Sequence, residues 1–98
     1  MNSESDPLEE AVRDLGWRNK VRCAEDVLQI ACLVRQSDWR PLRAKWWRGK
    51  EVCVIGADLN GNFFLRHCDG SVRLWDHSSQ SDRIVARSVR EFVSRIEE

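Results

Sequence analysis

The sequence predicts an α+β fold: an antiparallel meander of three to four strands packed against two N-terminal helices and one C-terminal helix. Three observations lead to this prediction. Apolar runs between residues 52 and 75 alternate with polar residues. They are joined by Asn60-Gly61 and Asp69-Gly70, which are dipeptides typical of tight hairpin turns. On either side of this segment, apolar residues recur at helical spacing.

At 98 residues the chain has room for one domain with one core, and we assign residues 1–98 to it, with 1–5 as a loose N-terminus. Hydrophobic residues make up 42% of the chain and charged residues 33%. This composition is typical of a folded globular protein and not of a disordered one.

A first helix is expected to begin at Asp6, which is a good N-cap residue, with Pro7 at the first helical position. Gly16 is expected to end this helix, because glycine readily adopts the left-handed conformation found at helix C-termini. Between these ends, one helix face collects apolar residues at the spacing expected for burial: Leu8, Ala11, Val12 and Leu15.

A second, largely buried helix is predicted over residues 23–36. Its apolar stripe comprises Ala24, Val27, Leu28, Ala31 and Val34. The β-branched residues and the tight run from Ile30 to Val34 would also suit a strand. The acidic start at Ala24-Glu25-Asp26 favours a helix, because acidic side chains stabilise the first turn.

The C-terminal half gives the clearest pattern. Residues 39–50 are expected to form a loop or a short turn of helix, because Pro41 prevents a continuous helix. Three strands follow, a polar loop is expected over 78–82, and residues 84–86 form a short edge strand. A capping box from Ser88 to Glu91 begins the last helix. Its apolar face comprises Val89, Phe92, Val93 and Ile96.

Charge is balanced overall but not along the chain. Residues 17–50 hold nine basic and three acidic side chains, whereas residues 1–16 hold five acidic ones against Arg13 alone. Such a basic stretch is more often a solvated surface than a nucleic-acid footprint.

The sequence lacks an apolar run of the roughly 18 residues needed for a membrane span. Its acidic N-terminus is also unlike a signal peptide. We therefore expect a cytoplasmic protein, in which the four cysteines stay reduced.

No metal, cofactor or catalytic activity is expected from the sequence. The cysteines lack the Cys-x-x-Cys spacing of zinc sites. His67 and Cys68 are neighbours in a predicted strand, so their side chains should point to opposite faces. Asp76-His77 at a strand end is better explained as a turn-forming pair. Residues 58–62 lack the distal acidic ligand of a calcium loop.

The stretch from Trp39 to Lys50 interleaves tryptophans with basic residues, and three interpretations stay open. The tryptophans could close the core, form a protein interface, or stack on the bases of a nucleic acid. The hypothesis we favour is non-enzymatic protein binding, and nucleic-acid binding through residues 39–50 is the alternative. The predicted partner-binding residues are Trp39, Arg40, Arg43, Trp46, Trp47, Arg48, Asp58 and Asn60.

Three stretches of the C-terminal half also carry a family resemblance: Ile55 to Leu65, Gly70 to His77, and Ile84 to Phe92. Their succession of a strand, a Gly-Asn turn, a strand ending in Trp-Asp-His and a final Ser-x-x-Glu-Phe helix resembles the SUKH superfamily of Smi/Knr-like proteins. The resemblance implies an α+β domain. It also implies the role of its bacterial members, which are largely immunity proteins that bind and neutralise a cognate toxin, while other members are regulatory interaction modules.

Overall fold

The computed structural model describes residues 8–23, 26–43, 45, 47 and 51–98. Within these residues, the chain forms seven strands and two short α-helices. In chain order the elements are α1 (Glu9–Arg13), β1 (Lys20–Cys23), β2 (Asp26–Leu33), a 3-10 turn (Gln36–Asp38), β3 (Val52–Asp58), β4 (Phe63–His67), β5 (Val72–Asp76), β6 (Ser81–Ala86), α2 (Val89–Ser94) and β7 (Ile96–Glu97).

All of these strands belong to one antiparallel sheet with the order β6-β5-β4-β3-β2-β1-β7. The sheet curls, so that β6 at one edge approaches the β1–β2 hairpin near the other. Side chains join the two regions: Arg83 Nη1 lies 3.0 Å from Asp26 Oδ2, and Cys23 Sγ donates to the carbonyl of Ile84 at 3.6 Å. The antiparallel sheet expected from the sequence is confirmed.

The predicted α+β class is wrong, because the described part of the chain is mainly β-structure. The second helix expected over 23–36 is replaced by strand β2, which pairs with β1 on one side and β3 on the other. Ala24 and Glu25, on which the helix start rested, lie outside the described residues. The exposure of the β2 side chains is that of a strand: Leu28 and Ile30 are buried, while Val27 is 50% exposed. A helix with the predicted apolar stripe would bury Val27 together with Leu28.

The first predicted helix is present but short. It covers Glu9–Arg13, and turns follow before Gly16. Leu8 and Ala11 are buried, as helical spacing requires. The predicted cap residues Asp6 and Pro7, like the N-terminus assigned to 1–5, lie outside the described residues.

The three strands predicted after residue 51 are present as β3, β4 and β5, but they form only part of the larger sheet. Gly61 and Gly70 adopt φ values of +82° and +91° in the hairpin turns, where glycine meets no steric penalty. The edge strand predicted over residues 84–86 is longer, because Ser81 pairs with Asp76 and Asp82 with Trp75.

The N-cap half of the predicted capping box begins α2, whereas Glu91 Oε1 accepts from the Arg87 backbone N–H at 3.3 Å instead of from Ser88. Ser88 Oγ accepts a hydrogen bond from the Glu91 backbone N–H at 3.0 Å. Phe92 is buried against Phe64, with 5.1 Å between the ring centroids. The helix ends at Ser94, so Ile96 reaches the core from strand β7 and not from a further helical turn.

The sheet buries side chains on both of its faces. Phe64 belongs to the main core, which α1 and α2 cover on the inner face. Leu65, the next residue along β4, has no exposed surface yet lies outside that core cluster. Successive strand residues point to opposite faces, so Leu65 marks a second buried layer on the outer face.

Candidate functional site

The candidate site is built on the chain segment between the 3-10 turn and β3. This segment passes from the inner to the outer face of the sheet. We call the described residues of this stretch (39–43, 45 and 47) the crossing segment. It starts at Trp39, whose side chain packs against the main core. The indole N–H of Trp39 donates to the Val34 carbonyl at 2.9 Å, and the Arg66 guanidinium lies 5.8 Å from the ring centroid.

The middle of the crossing segment attaches to the edge of β3. Strand β2 pairs with β3 only at Gly56, Ala57 and Asp58, which leaves the first half of this edge open to another chain segment. Pro41 forms an isolated bridge with Cys53 there, and the Leu42 N–H donates to the Val52 carbonyl at 2.8 Å. Proline lacks an N–H, so a single bridge at an edge suits it.

Trp47 lies on the outer face, where it packs edge-on against two rings. The ring centroids are 5.2 Å from Trp75 and 6.3 Å from His67, with interplanar angles of 90° and 76°. Edge-to-face geometry is favourable between aromatic rings. The two described tryptophans of the crossing segment therefore pack against the sheet, one on each face, as the core-closing interpretation expects.

Beneath Trp47, the outer face holds a polar cluster that the sequence did not indicate. His67 is only 7% exposed, and its Nε2 lies 3.3 Å from Asp82 Oδ2. Arg73 Nη1 approaches the same carboxylate oxygen at 3.5 Å. Asp82 Oδ1 is buried without a hydrogen-bond donor among the described residues. The cluster depends on the β5–β6 register, which places Asp82 opposite Trp75, and local sequence gives no signal for that register.

Asp69 belongs to the turn next to this cluster. Its Oδ1 accepts hydrogen bonds from the Ser71 hydroxyl at 2.6 Å and from the Ser71 backbone N–H at 2.9 Å. These bonds favour the carboxylate form and, with Arg73 nearby, lower the pKa of Asp69 from 3.8 to about 2. The Ser71 hydroxyl therefore donates to a turn carboxylate, and this arrangement is not that of a nucleophile beside a histidine base.

Asp58 and Asn60, also predicted to bind a partner, lie at the other end of β3 from the crossing segment. Asp58 is 3% exposed, and its Oδ1 accepts from the backbone N–H groups of Asn60 and Asn62, each at 2.9 Å. Its carboxylate thus stabilises the hairpin turn. Asn60 is exposed at the tip of that turn.

The structure brings four of the predicted residues together in the crossing segment: Trp39, Arg40, Arg43 and Trp47. Arg40 and Arg43 are exposed, whereas the two tryptophans are partly buried. Trp46 and Arg48 lie outside the described residues.

The other groups considered for chemistry have structural contacts. Asp76 accepts from the backbone N–H groups of Ser78 and Ser79 at 2.8 and 3.3 Å, and the His77 ring packs against Phe63 at 5.3 Å. Among the residues described, no three histidine, cysteine or acidic side chains are arranged to hold a metal ion. No helix in the same residues is long and apolar enough to cross a membrane.

A shallow cavity of about 340 Å³ lies between β1 and the end of α2. Its lining arginines already have acidic partners: Arg22 lies 3.8 Å from Glu97, and Arg95 lies 3.0 Å from Glu91.

Comparison of the chain with family models, curated proteins and solved structures found no match in any of the three.

Proposed function

We propose that this protein is a non-enzymatic protein-binding module whose binding surface is the outward side of the crossing segment. The observation that carries the proposal is the division of roles within that segment. Trp39 and Trp47 pack against the sheet, whereas Arg40, Arg43 and Lys45 are exposed. Backbone bonds to β3 and aromatic packing order the segment before a partner arrives, which reduces the entropy lost on binding.

The nucleic-acid alternative has less support. Base stacking needs aromatic faces that a base can reach, and the rings of Trp39 and Trp47 contact Arg66, His67 and Trp75 instead. The formal net charge of zero also provides no general attraction to phosphates. Both features favour a protein partner.

The resemblance to the SUKH superfamily suggests a narrower version of the proposal, in which the partner is a toxin domain and the protein its immunity protein in a bacterial cytoplasm. Its support is the order of motifs in the C-terminal half alone. The α+β architecture that the resemblance implied is not found, so the general binding function has the broader support.

The test is capture of a partner with the tagged protein in its native host, followed by titration with the purified partner. We expect a one-to-one complex, and the toxin version predicts a toxin domain encoded beside this chain. An amine-reactive crosslinker should join the partner to Lys45 and not to Lys20, which is exposed on β1 and serves as the control. Recovery of nucleic acid alone, or crosslinks confined to Lys20, would contradict the proposal.

A further inference from the structure

The crossing segment, together with the residue before the 3-10 turn, exposes a set of cations without acidic partners among the described residues. The set comprises Arg35, Arg40, Arg43 and Lys45, and we call it the basic surface. None of these four side chains forms an ion pair with any residue in the described parts of the chain. The same stretch contains a single acidic residue, Asp38.

Elsewhere the molecule pairs many of its arginines with carboxylates. The pairs are Arg13–Glu10, Arg22–Glu97, Arg73–Asp69, Arg73–Asp82, Arg83–Asp26 and Arg95–Glu91. Against this background, the basic surface is a local positive excess on a chain with no formal net charge. Such an excess attracts an oppositely charged partner and repels a basic one.

The backbone beneath the basic surface is fixed on both sides of Arg40. The indole of Trp39 is bonded to Val34, Leu42 is bonded to Val52, and Arg40 Nη1 donates to the Trp39 carbonyl at 2.9 Å. The backbone that carries Arg40 is therefore held in place between Trp39 and Leu42, at the edge of β3. Charges on an ordered backbone can match the charges of one partner surface, and they lose less entropy on binding than charges on a mobile tail.

We propose that the basic surface receives an acidic, carboxylate-rich surface of a partner protein. The inference rests on the protein-binding function proposed above and adds the chemical class of the partner. A protein is favoured over a nucleic acid because the aromatic rings beside these cations already contact the sheet and Arg66.

The test measures binding of fluorescently labelled poly-L-glutamate, by anisotropy at about 0.1 M salt, to the wild type and two double variants. R40E/R43E reverses two cations of the basic surface. R87E/R90E makes the same change in net charge at two exposed arginines, one just before α2 and one in its first turn, which also have no ion pair in the described residues. Circular dichroism and melting verify that both variants are folded.

We expect R40E/R43E to weaken poly-L-glutamate binding by about tenfold or more, and R87E/R90E by about twofold or less. The reason is that salt at about 0.1 M screens the effect of a charge beyond roughly 10 Å. Wild-type affinity should fall as salt is added. Equal losses in both variants, or no binding by the wild type, would overturn the inference.

Two further measurements exclude other occupants. Duplex DNA of matched charge should bind more weakly than poly-L-glutamate, and tighter binding that R40E/R43E abolishes would overturn the inference in favour of a nucleic acid. Sedimentation of the free protein should show the same oligomeric state in the wild type and R40E/R43E. A dimer that this variant dissociates would instead assign the surface to a second copy.

Failure of this inference differs from failure of the proposed function. A captured protein whose affinity is unchanged in R40E/R43E would overturn the acidic partner surface and leave the protein-binding function standing. Absence of any protein partner would contradict the function itself, whatever poly-L-glutamate does.

Discussion

At the scale of single residues, the polar side chains of the hairpins mainly hold turns in place. Asp58, Asp69 and Asp76 each accept hydrogen bonds from backbone N–H groups two to four residues ahead. Such bonds stabilise the turn. Asp58 and Asp76, which the sequence offered as candidates for calcium binding or catalysis, thus have a structural explanation as turn-stabilising residues.

Replacing Ser71 with alanine should raise the pKa of Asp69 from about 2 toward its ordinary value of 3.8, because the hydroxyl is its strongest hydrogen-bond donor. The folded pKa is depressed, so Asp69 stabilises the fold above pH 3.8, and this contribution is lost as the pH falls toward 2. Side-chain NMR titration of Asp69 measures the shift. Ser37→Ala, at an exposed serine remote in sequence, is the control, and an unchanged pKa in Ser71→Ala would contradict the assignment.

At the scale of elements, the β1–β2 hairpin shows why a helical pattern can be misleading. Residues 26–33 contain apolar side chains at both helical and strand spacing, so their periodicity cannot choose between the two. The choice comes from pairing partners: Val21 lies opposite Leu28, and Leu33 opposite Gly56. Val21 is near Leu28 in sequence, but Gly56 lies too far from Leu33 for a local sequence window to include both.

Two matched valine substitutions test this element. Val21 is fully buried in β1, whereas Val27 is half exposed in β2. We expect Val21→Ala to lower the free energy of unfolding by about 2 kcal/mol. Val27→Ala should cost less than about 1 kcal/mol, because it removes little buried surface. Denaturant unfolding measures both, and a loss in Val27→Ala as large as that in Val21→Ala would restore the helical interpretation.

In the molecule as a whole, the crossing segment contacts both faces of the sheet. Trp39 packs on the inner core, and Trp47 covers His67 and Trp75 on the outer face. The first and last strands of the described chain also pair, since Lys20 in β1 lies opposite Glu97 in β7. The binding surface that we propose is therefore supported by contacts from several elements.

Truncation of Trp47 tests this arrangement. Trp47→Ala should lower the free energy of unfolding by about 2 kcal/mol, which is less than for a fully buried tryptophan because the ring is only partly covered. The NMR resonance of the Trp75 indole N–H should shift as well, since its edge-on neighbour is lost. Trp17→Ala is the control, because Trp17 is 58% exposed. Equal stability of the wild type and Trp47→Ala would show that the ring does not stabilise the outer face.

Features that depend on residues close together in the chain could be predicted from the sequence. Gly61 and Gly70 specify their turns through positive φ, and Ser88 and Glu91 specify the start of α2 through a local capping bond. The sequence also marked Trp39, Arg40, Arg43 and Trp47 as one group, because they lie within a few residues of each other.

Features that depend on strand pairing between distant residues could not be predicted from the sequence. Strand β2 replaced a helix because β1 and β3 supply its hydrogen-bond partners, and Asp82 reached His67 because β6 lies beside β5 in a register fixed across the sheet. The division of the crossing segment into packed rings and exposed cations likewise follows from its attachment to β3. The physical reason is that burial and strand pairing depend on neighbours in space, which a local pattern does not contain.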